Sequence, residues 1–252
     1  MARVLSDETS LSRQRKQLTK ESTVLQKLVR VELSLAILLV VAGLVVWFLH
    51  GSATWLILAG VAVFLAIGHY LKSKENLKQA DYLEAGLKGE VEVARLLADG
   101  LDNDYYVYND IRIRSGFRSA QVDHVVVGPC GVVLIETKNW RGRMVGDVQD
   151  KAWQQYRFSD SLPRRVGNPV LQNQRHAEVV TAYLRSRGLP EVPVIPLLVF
   201  TARKATLEIT NLNTAIVWPT EMCDHIRRLP RAETFDERAQ DAVLNRFQRF
   251  LT

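Results

Sequence analysis

The sequence predicts an α/β domain carried behind two apolar helices, and three observations predict it. Two uncharged runs, residues 33–49 and 52–67, stand close together near the N-terminus. Downstream, helical and extended segments follow in the order α–β–β–β–α–β. Two β-branched segments among them, 121–127 and 132–138, are joined by Gly128-Pro129-Cys130-Gly131, a turn-forming sequence.

Each apolar run makes a helix of roughly 26 Å at ~1.5 Å per residue, slightly short of a ~30 Å hydrocarbon core. The second is extended by His69, Tyr70 and Leu71, and His50-Gly51-Ser52-Ala53 connects the two. Trp47, Trp55 and Tyr70 stand near the ends, where aromatic rings favour the interface. Arg3, Arg13, Arg15, Lys16, Lys20, Lys27 and Arg30 precede the pair, Lys72, Lys74 and Lys78 follow it, and the connection has no Lys or Arg. The positive-inside bias therefore predicts a hairpin crossing the cell membrane twice, with both termini and the downstream domain cytoplasmic. A buried hairpin of a water-soluble fold would show a polar face, and a cleaved leader would start earlier in the chain. The expected organisation is a basic segment 1–30, a membrane hairpin 31–71, a stalk 72–83 and a folded domain 84–252.

Within that domain, residues 89–100 read as an amphipathic helix offering Val91, Val93, Ala94, Leu96 and Leu97. Residues 105–114 read as extended, with Ile111 and Ile113 alternating against Arg112 and Arg114. Asn168-Pro169 reads as the start of a helix running to Gly188. Residues 194–200 suit a buried strand, 215–218 a short one, and 235–251 a closing helix bearing Ala239, Val243, Phe247 and Leu251.

The net charge of +6 and pI near 9.4 are concentrated at the front. Residues 1–78 hold 10 Lys/Arg against 5 Asp/Glu, while residues 79–252 hold 23 against 22. Whole-chain charge thus says little about the larger domain. Locally, residues 111–175 hold 11 Lys/Arg against 5 Asp/Glu, the balance a phosphate-backbone footprint requires. Two cysteines, Cys130 and Cys223, are too few for a disulfide framework, and no Cys/His spacing fits zinc.

If the turn is centred between Pro129 and Cys130, Val127 faces Val132, Val125 faces Leu134, and Asp123 faces Glu136. Two carboxylates then oppose each other at the end of an apolar face, with Lys138 two residues on. Like charges across strands destabilise a sheet unless a cation lies between them. Oxygen ligands of this kind suit Mg²⁺, Mn²⁺ or Ca²⁺ rather than zinc. On residues alone, solvated strand-end charges, with Lys138 pairing one of them, are the favoured reading, because strand ends are commonly charged.

Asp123 followed after twelve residues by Glu136-Thr137-Lys138 resembles the PD-(D/E)XK nuclease core. Gly89-Glu90, Gln121-Val122-Asp123-His124, Glu136-Thr137-Lys138-Asn139-Trp140 with Gly142, and Asn168-Pro169 with Gln172 and His176 together resemble the nuclease-related domain (NERD) family over roughly residues 84–200. Val122 stands where the superfamily has its nominal proline. The resemblance implies a restriction-endonuclease-like core, a mixed sheet flanked by helices, acting on DNA more readily than RNA with Mg²⁺ or Mn²⁺. It implies Asp123, Glu136 and the Thr137 carbonyl as metal ligands, Lys138 orienting the attacking water, and Glu90 supporting the metal. Gln172, Arg141 and Arg118 would contact substrate. Two rivals remain: the same fold kept as a non-catalytic nucleic-acid- or protein-binding module, and a membrane adaptor.

Overall fold

A computed structural model describes residues 1–4, 10–50, 54–157, 160–189 and 191–250. The chain forms two compact units, one of residues Ser10–Ala85 and one combining Met1–Thr9 with Gly86–Thr252. The 51–53 connection between the apolar runs lies outside the described residues.

The Ser10–Ala85 unit consists of α1 (Ser10–His50) and the first part of α2 (Thr54–Gly100). Small side chains line the contact: Ser22, Ala36, Ala66, Ser73 and Ala80 are buried, as in helix pairs that approach closely. Ser73 Oγ donates to the Ser22 carbonyl at 3.3 Å, Arg15 pairs with Glu84 at 2.8 Å, and His69 lies 2.9 Å from Glu32. Ile37, Leu38, Val41, Ile57 and Phe64 are instead exposed, so much of the apolar surface faces outward. Among the described residues one helix is long and apolar enough to cross a membrane, over Ser12–Val45. Two spans were expected. The second run opens α2, which continues without a break into the charged stretch beyond Leu71 and is not found as a span by that measure.

Continuity of α2 also corrects the expectation that Glu90 stands in a first helical turn. No proline interrupts the chain between Thr54 and Gly100, and stalk and amphipathic helix are one element. Glu90 therefore has no helix dipole to account for it.

The larger unit is built on a six-stranded mixed sheet, in the order β1 (Arg3–Val4), β2 (Tyr106–Ser115), β3 (Arg118–Gly128), β4 (Gly131–Lys138), β8 (Val194–Phe200) and β10 (Ala215–Val217). A second sheet has the order β7 (Arg164–Gly167), β6 (Ala152–Tyr156), β5 (Gly142–Asp147) and β9 (Ala205–Thr210). The expected register holds: Val127 pairs with Val132 and Val125 with Leu134. α3 (Pro169–Ser186) and α5 (Glu237–Phe247) cover one face of the main sheet through Val180, Tyr183, Val243 and Phe247. The last turns of α2 and α4 (Pro219–Arg228) cover the other through Val93, Leu97, Met222 and Ile226. The second sheet closes over Trp153, Met144 and Phe200.

Two features were not foreseen. β1 pairs in parallel with β2, Arg3 to Tyr106 and Val4 to Val107. It is fastened by Ala2 N–H to the Ala98 carbonyl at 3.1 Å and Arg3 N–H to the Tyr105 carbonyl at 3.2 Å. The other is the second sheet itself, whose strands are four to six residues long.

Candidate active site

Alternation along β3 breaks where the site begins. Val122 and Val125, three residues apart, enter the same core cluster, as do Tyr108 and Ile111 on β2. Opposite Asp123 stands Asp110, whose φ of +52° lies in the left-handed region that Asp tolerates better than most side chains. The expected continuous face from Asp123 to Val127 is thus interrupted. The β3–β4 ladder stops at His124 and Ile135, and beyond it the Asp123 carboxylate accepts the Thr137 N–H at 2.8 Å. A side chain replaces the next ladder bond, which holds the carboxylate at the strand junction.

Glu136 is buried on the α3 side of β4. Its Oε1 receives the Lys138 ammonium, whose Nζ also lies 3.4 Å from Gln172 Oε1 on α3. His176 Nδ1 is 3.5 Å from Glu136 Oε2, too loosely aligned for a hydrogen bond, so Oε2 is a buried oxygen without one. α3 is held in place for this. Asn168 caps it, accepting from the Val170 and Leu171 N–H groups, and donates to the carbonyls of Val148 and Asp150. Asn173, buried beside Gln172, donates to the Leu134 and Leu197 carbonyls of β4 and β8.

Glu90 reaches the same region from α2. A Cβ on Gly89 would lie 2.6 Å from Thr201 Oγ1 and 3.2 Å from Asn139 Cβ, so only glycine lets the helix approach the ends of β4 and β8 this closely.

The electrostatics report crowded, desolvated acids. Burial, then Asp123, Asp110 and Glu136, push the Glu90 carboxyl up to about 8. Burial and Glu136 push Asp123 up to about 7, against the pull of Lys138 and the Thr137 N–H. Glu136 is raised by burial, which Lys138 only partly offsets. Burial works against the Lys138 ammonium, yet Glu136 and Asp123 hold it above its usual value. His176 is lowered by burial, which keeps its imidazole neutral at pH 7.

These shifts set a pH dependence. The folded carboxyls of Glu90 and Asp123 keep protons well above 4.5 and 3.8, where an exposed chain releases them. Raised acid pKa values mean that the native state binds more protons than the unfolded one across that window, so stability falls as pH rises. Without divalent cations, the Tm of the full chain is expected to drop between pH 5 and 8.5, and Glu90→Gln to flatten the slope. A wild-type Tm that stays level or rises would show the carboxyls ionising normally.

The donor set is all oxygen, which suits a hard divalent cation. Glu136 Oε2 is a buried acceptor awaiting a partner, and the mutual repulsion of the acids is what such a cation relieves. By donor type the residues fit. Among the described residues no three His, Cys, Asp or Glu side chains are gathered closely enough to grip an ion as they stand, and Lys138 occupies Glu136 Oε1 instead.

The structure thus brings Glu90, Asp123, Glu136, Lys138, Gln172 and His176 together, with Thr137 between them. It does not bring Arg118 there: five residues from Asp123 along β3, about 17 Å at strand rise, it lies 3.8 Å from Glu178. Arg141 is exposed beyond the end of β4. His124 is buried with Nδ1 2.7 Å from Asn109 Oδ1 and is held down to about 3 by burial, a packing residue. Trp153 is core, while Trp140 stacks edge-on with Phe200 and has Lys138 Nζ 5.6 Å from its ring centroid. Asp110 and Asn173 escaped sequence reasoning; an acid inside an alternating strand was the signal for Asp110.

The family model of the nuclease-related domain (NERD) matches residues 85–201. An uncharacterized protein of Bacillus anthracis is 30% identical over 106 residues, 42% of this chain and 49% of that protein. The chain thus spans about half the length of this relative. No solved structure matches the chain.

Proposed function

We propose that the chain is a membrane-anchored, metal-dependent nuclease that hydrolyses phosphodiester bonds, of DNA in preference to RNA. The observation that carries the reading is the meeting of Glu90, Asp123 and Glu136 with Lys138 at one strand junction. Asp123, Glu136 and the Thr137 carbonyl would hold Mg²⁺ or Mn²⁺, with Glu90 supporting through water or a second ion. Such an ion polarises the scissile phosphate and lowers the pKa of bound water. Lys138, between Glu136 and the Gln172 carboxamide, supplies a fixed positive charge toward the oxygen on which charge develops. Gln172 restrains the lysine's swing. His176, neutral and half-enclosed, bounds the pocket on the α3 side.

The anchor we propose is a two-pass hairpin with both ends in the cytoplasm. Its outward apolar side chains and small-residue contact suit lipid. Connectivity adds an argument independent of charge. β1 belongs to the same folded unit as residues 86–252, so the segment 10–85 leaves that unit and returns to it. If α1 crosses a bilayer, the chain must cross back, and the apolar head of α2 is what precedes the domain.

The test is cleavage by the full chain in neutral detergent, on circular duplex DNA, single-stranded DNA and RNA, with Mg²⁺, Mn²⁺ or EDTA. Cutting is expected only with a divalent cation, together with a rise in Tm on adding the cation that Asp123→Ala abolishes. Every substrate surviving while the cation leaves Tm unchanged would overturn the reading in favour of a binding module.

A further inference from the structure

β2 and β3 run on past the sheet. β3 pairs with β4 only from Gly128 to His124, whereas β2 and β3 stay paired as far as Ser115 and Arg118. The projecting ribbon has two unlike faces. Ile111, Ile113, Ala120 and Val122 are buried in the core that α3 covers. On the alternate positions Arg112, Arg114 and Ser119 are exposed. Between Ile111 and Val122 there are three arginines and no acid. Arg112 commits one N–H to Gln121 Oε1 at 2.9 Å, which aligns an otherwise exposed guanidinium.

The tip is a two-residue turn. Gly116, at φ +59°, takes its first position, the conformation a tight hairpin turn demands of glycine. Phe117 takes the second and is fully exposed. A lone surface apolar residue is ordinary, but this one crowns a basic ribbon whose base carries Asp110 and Asp123. Arginines flanking an unburied aromatic ring complement a polyanion with flat aromatic faces. A two-stranded ribbon has the width to enter a major groove, and an apolar wedge can partly unstack a base step.

We propose that the β2–β3 ribbon is the arm by which the domain engages double-helical nucleic acid, with Arg112 and Arg114 on backbone phosphates and Phe117 against the bases. The inference rests on the nuclease reading and adds the substrate's form to it. It also fixes a reach. Phe117 is six residues from Asp123 on β3, about 20 Å at strand rise, or roughly six base-pair steps at about 3.4 Å each. Scission would fall about that far from the step the ring contacts.

The experiment is anisotropy of a labelled duplex with the full chain in nanodiscs, in EDTA so that nothing is cut. Phe117→Ser is expected to weaken binding about ten-fold, the scale of one base–aromatic contact. Arg112→Gln with Arg114→Gln should weaken it further and lower the salt slope by about two. Phe117→Trp should bind as the wild type does, and its added emission should be quenched by duplex. Phe117 buries nothing in the fold, so its variants stay folded. Unchanged duplex affinity in both loss variants would overturn the proposal. So would a stronger loss for single strands than for duplex, or tryptophan emission from Phe117→Trp that shifts with anionic lipid and ignores duplex. Because binding is read in EDTA, variants that bind normally beside a wild type that still cuts with metal would sink the arm alone. Lost binding beside a wild type that never cuts would sink catalysis alone.

Discussion

Lys138→Ala is expected to lower metal-dependent cleavage by about 10²–10³-fold, the usual cost of removing one preorganised charge stabiliser. The lysine is half-buried and its ammonium is gripped by Glu136, with the Gln172 carboxamide at 3.4 Å. On the proposed reading, little reorganisation would then be needed when charge develops on a phosphate oxygen. The substitution also strips Glu136 of its cationic neighbour, so this carboxyl should move further upward and bind a divalent cation only at higher pH. Lys138→Arg should recover little, because a planar guanidinium cannot enter the space of a compact ammonium. Single-turnover cleavage across a pH series is the measurement. A variant cutting within two-fold of the wild type would remove Lys138 from the chemistry.

Trp153→Ala should cost about 3–5 kcal/mol, the range for deleting a large buried aromatic side chain. The indole is completely buried, donates Nε1–H to the Asp147 carbonyl at 2.9 Å, and packs in one cluster with Met144, Val170 and Phe200. A Cβ at Gly146 would lie 2.4 Å from its ring, so the neighbouring strand is shaped to the indole and has little freedom to collapse into the void. Since Val170 sits in the first turn of α3, loosening this cluster should also loosen Gln172 and His176. Tm of the full chain in detergent reads the first effect. A fall of less than a few degrees would mean that the second sheet relaxes around the gap.

Much of this was legible because the central hairpin obeys simple rules. Val125, Val127, Val132 and Leu134 alternate cleanly, and the Gly-Pro-Cys-Gly turn fixes one register as far as His124 and Ile135, just beyond which Asp123 and Glu136 interact. Asn168-Pro169 likewise announces a helix start through capping chemistry that depends only on neighbours. What the sequence hid depends on partners distant in the chain. β5, β6, β7 and β9 are short, and their burial comes from Trp153 meeting Phe200, a relation that no local period encodes. The flip at Asp110 and Asp123 is a two-strand event, invisible along either strand alone. Gly89 reads as a poor helix residue until Thr201 is brought against it. The proposed second membrane pass sits between these cases: composition suggested it, one candidate span is found among the described residues, and the pairing of Arg3 with Tyr106 bears on it through connectivity.

That pairing carries a consequence for biosynthesis. Arg3 and Tyr106 are 103 residues apart, so the earlier-made strand waits for its partner through the making of both long helices. At about 5–20 residues per second the delay is roughly 5–20 s, far longer than a strand needs to pair once both halves exist. The Arg3–Val4 strand thus waits longer for β2 than β4 waits for β8, and the seam it closes joins residues lying on either side of both long helices.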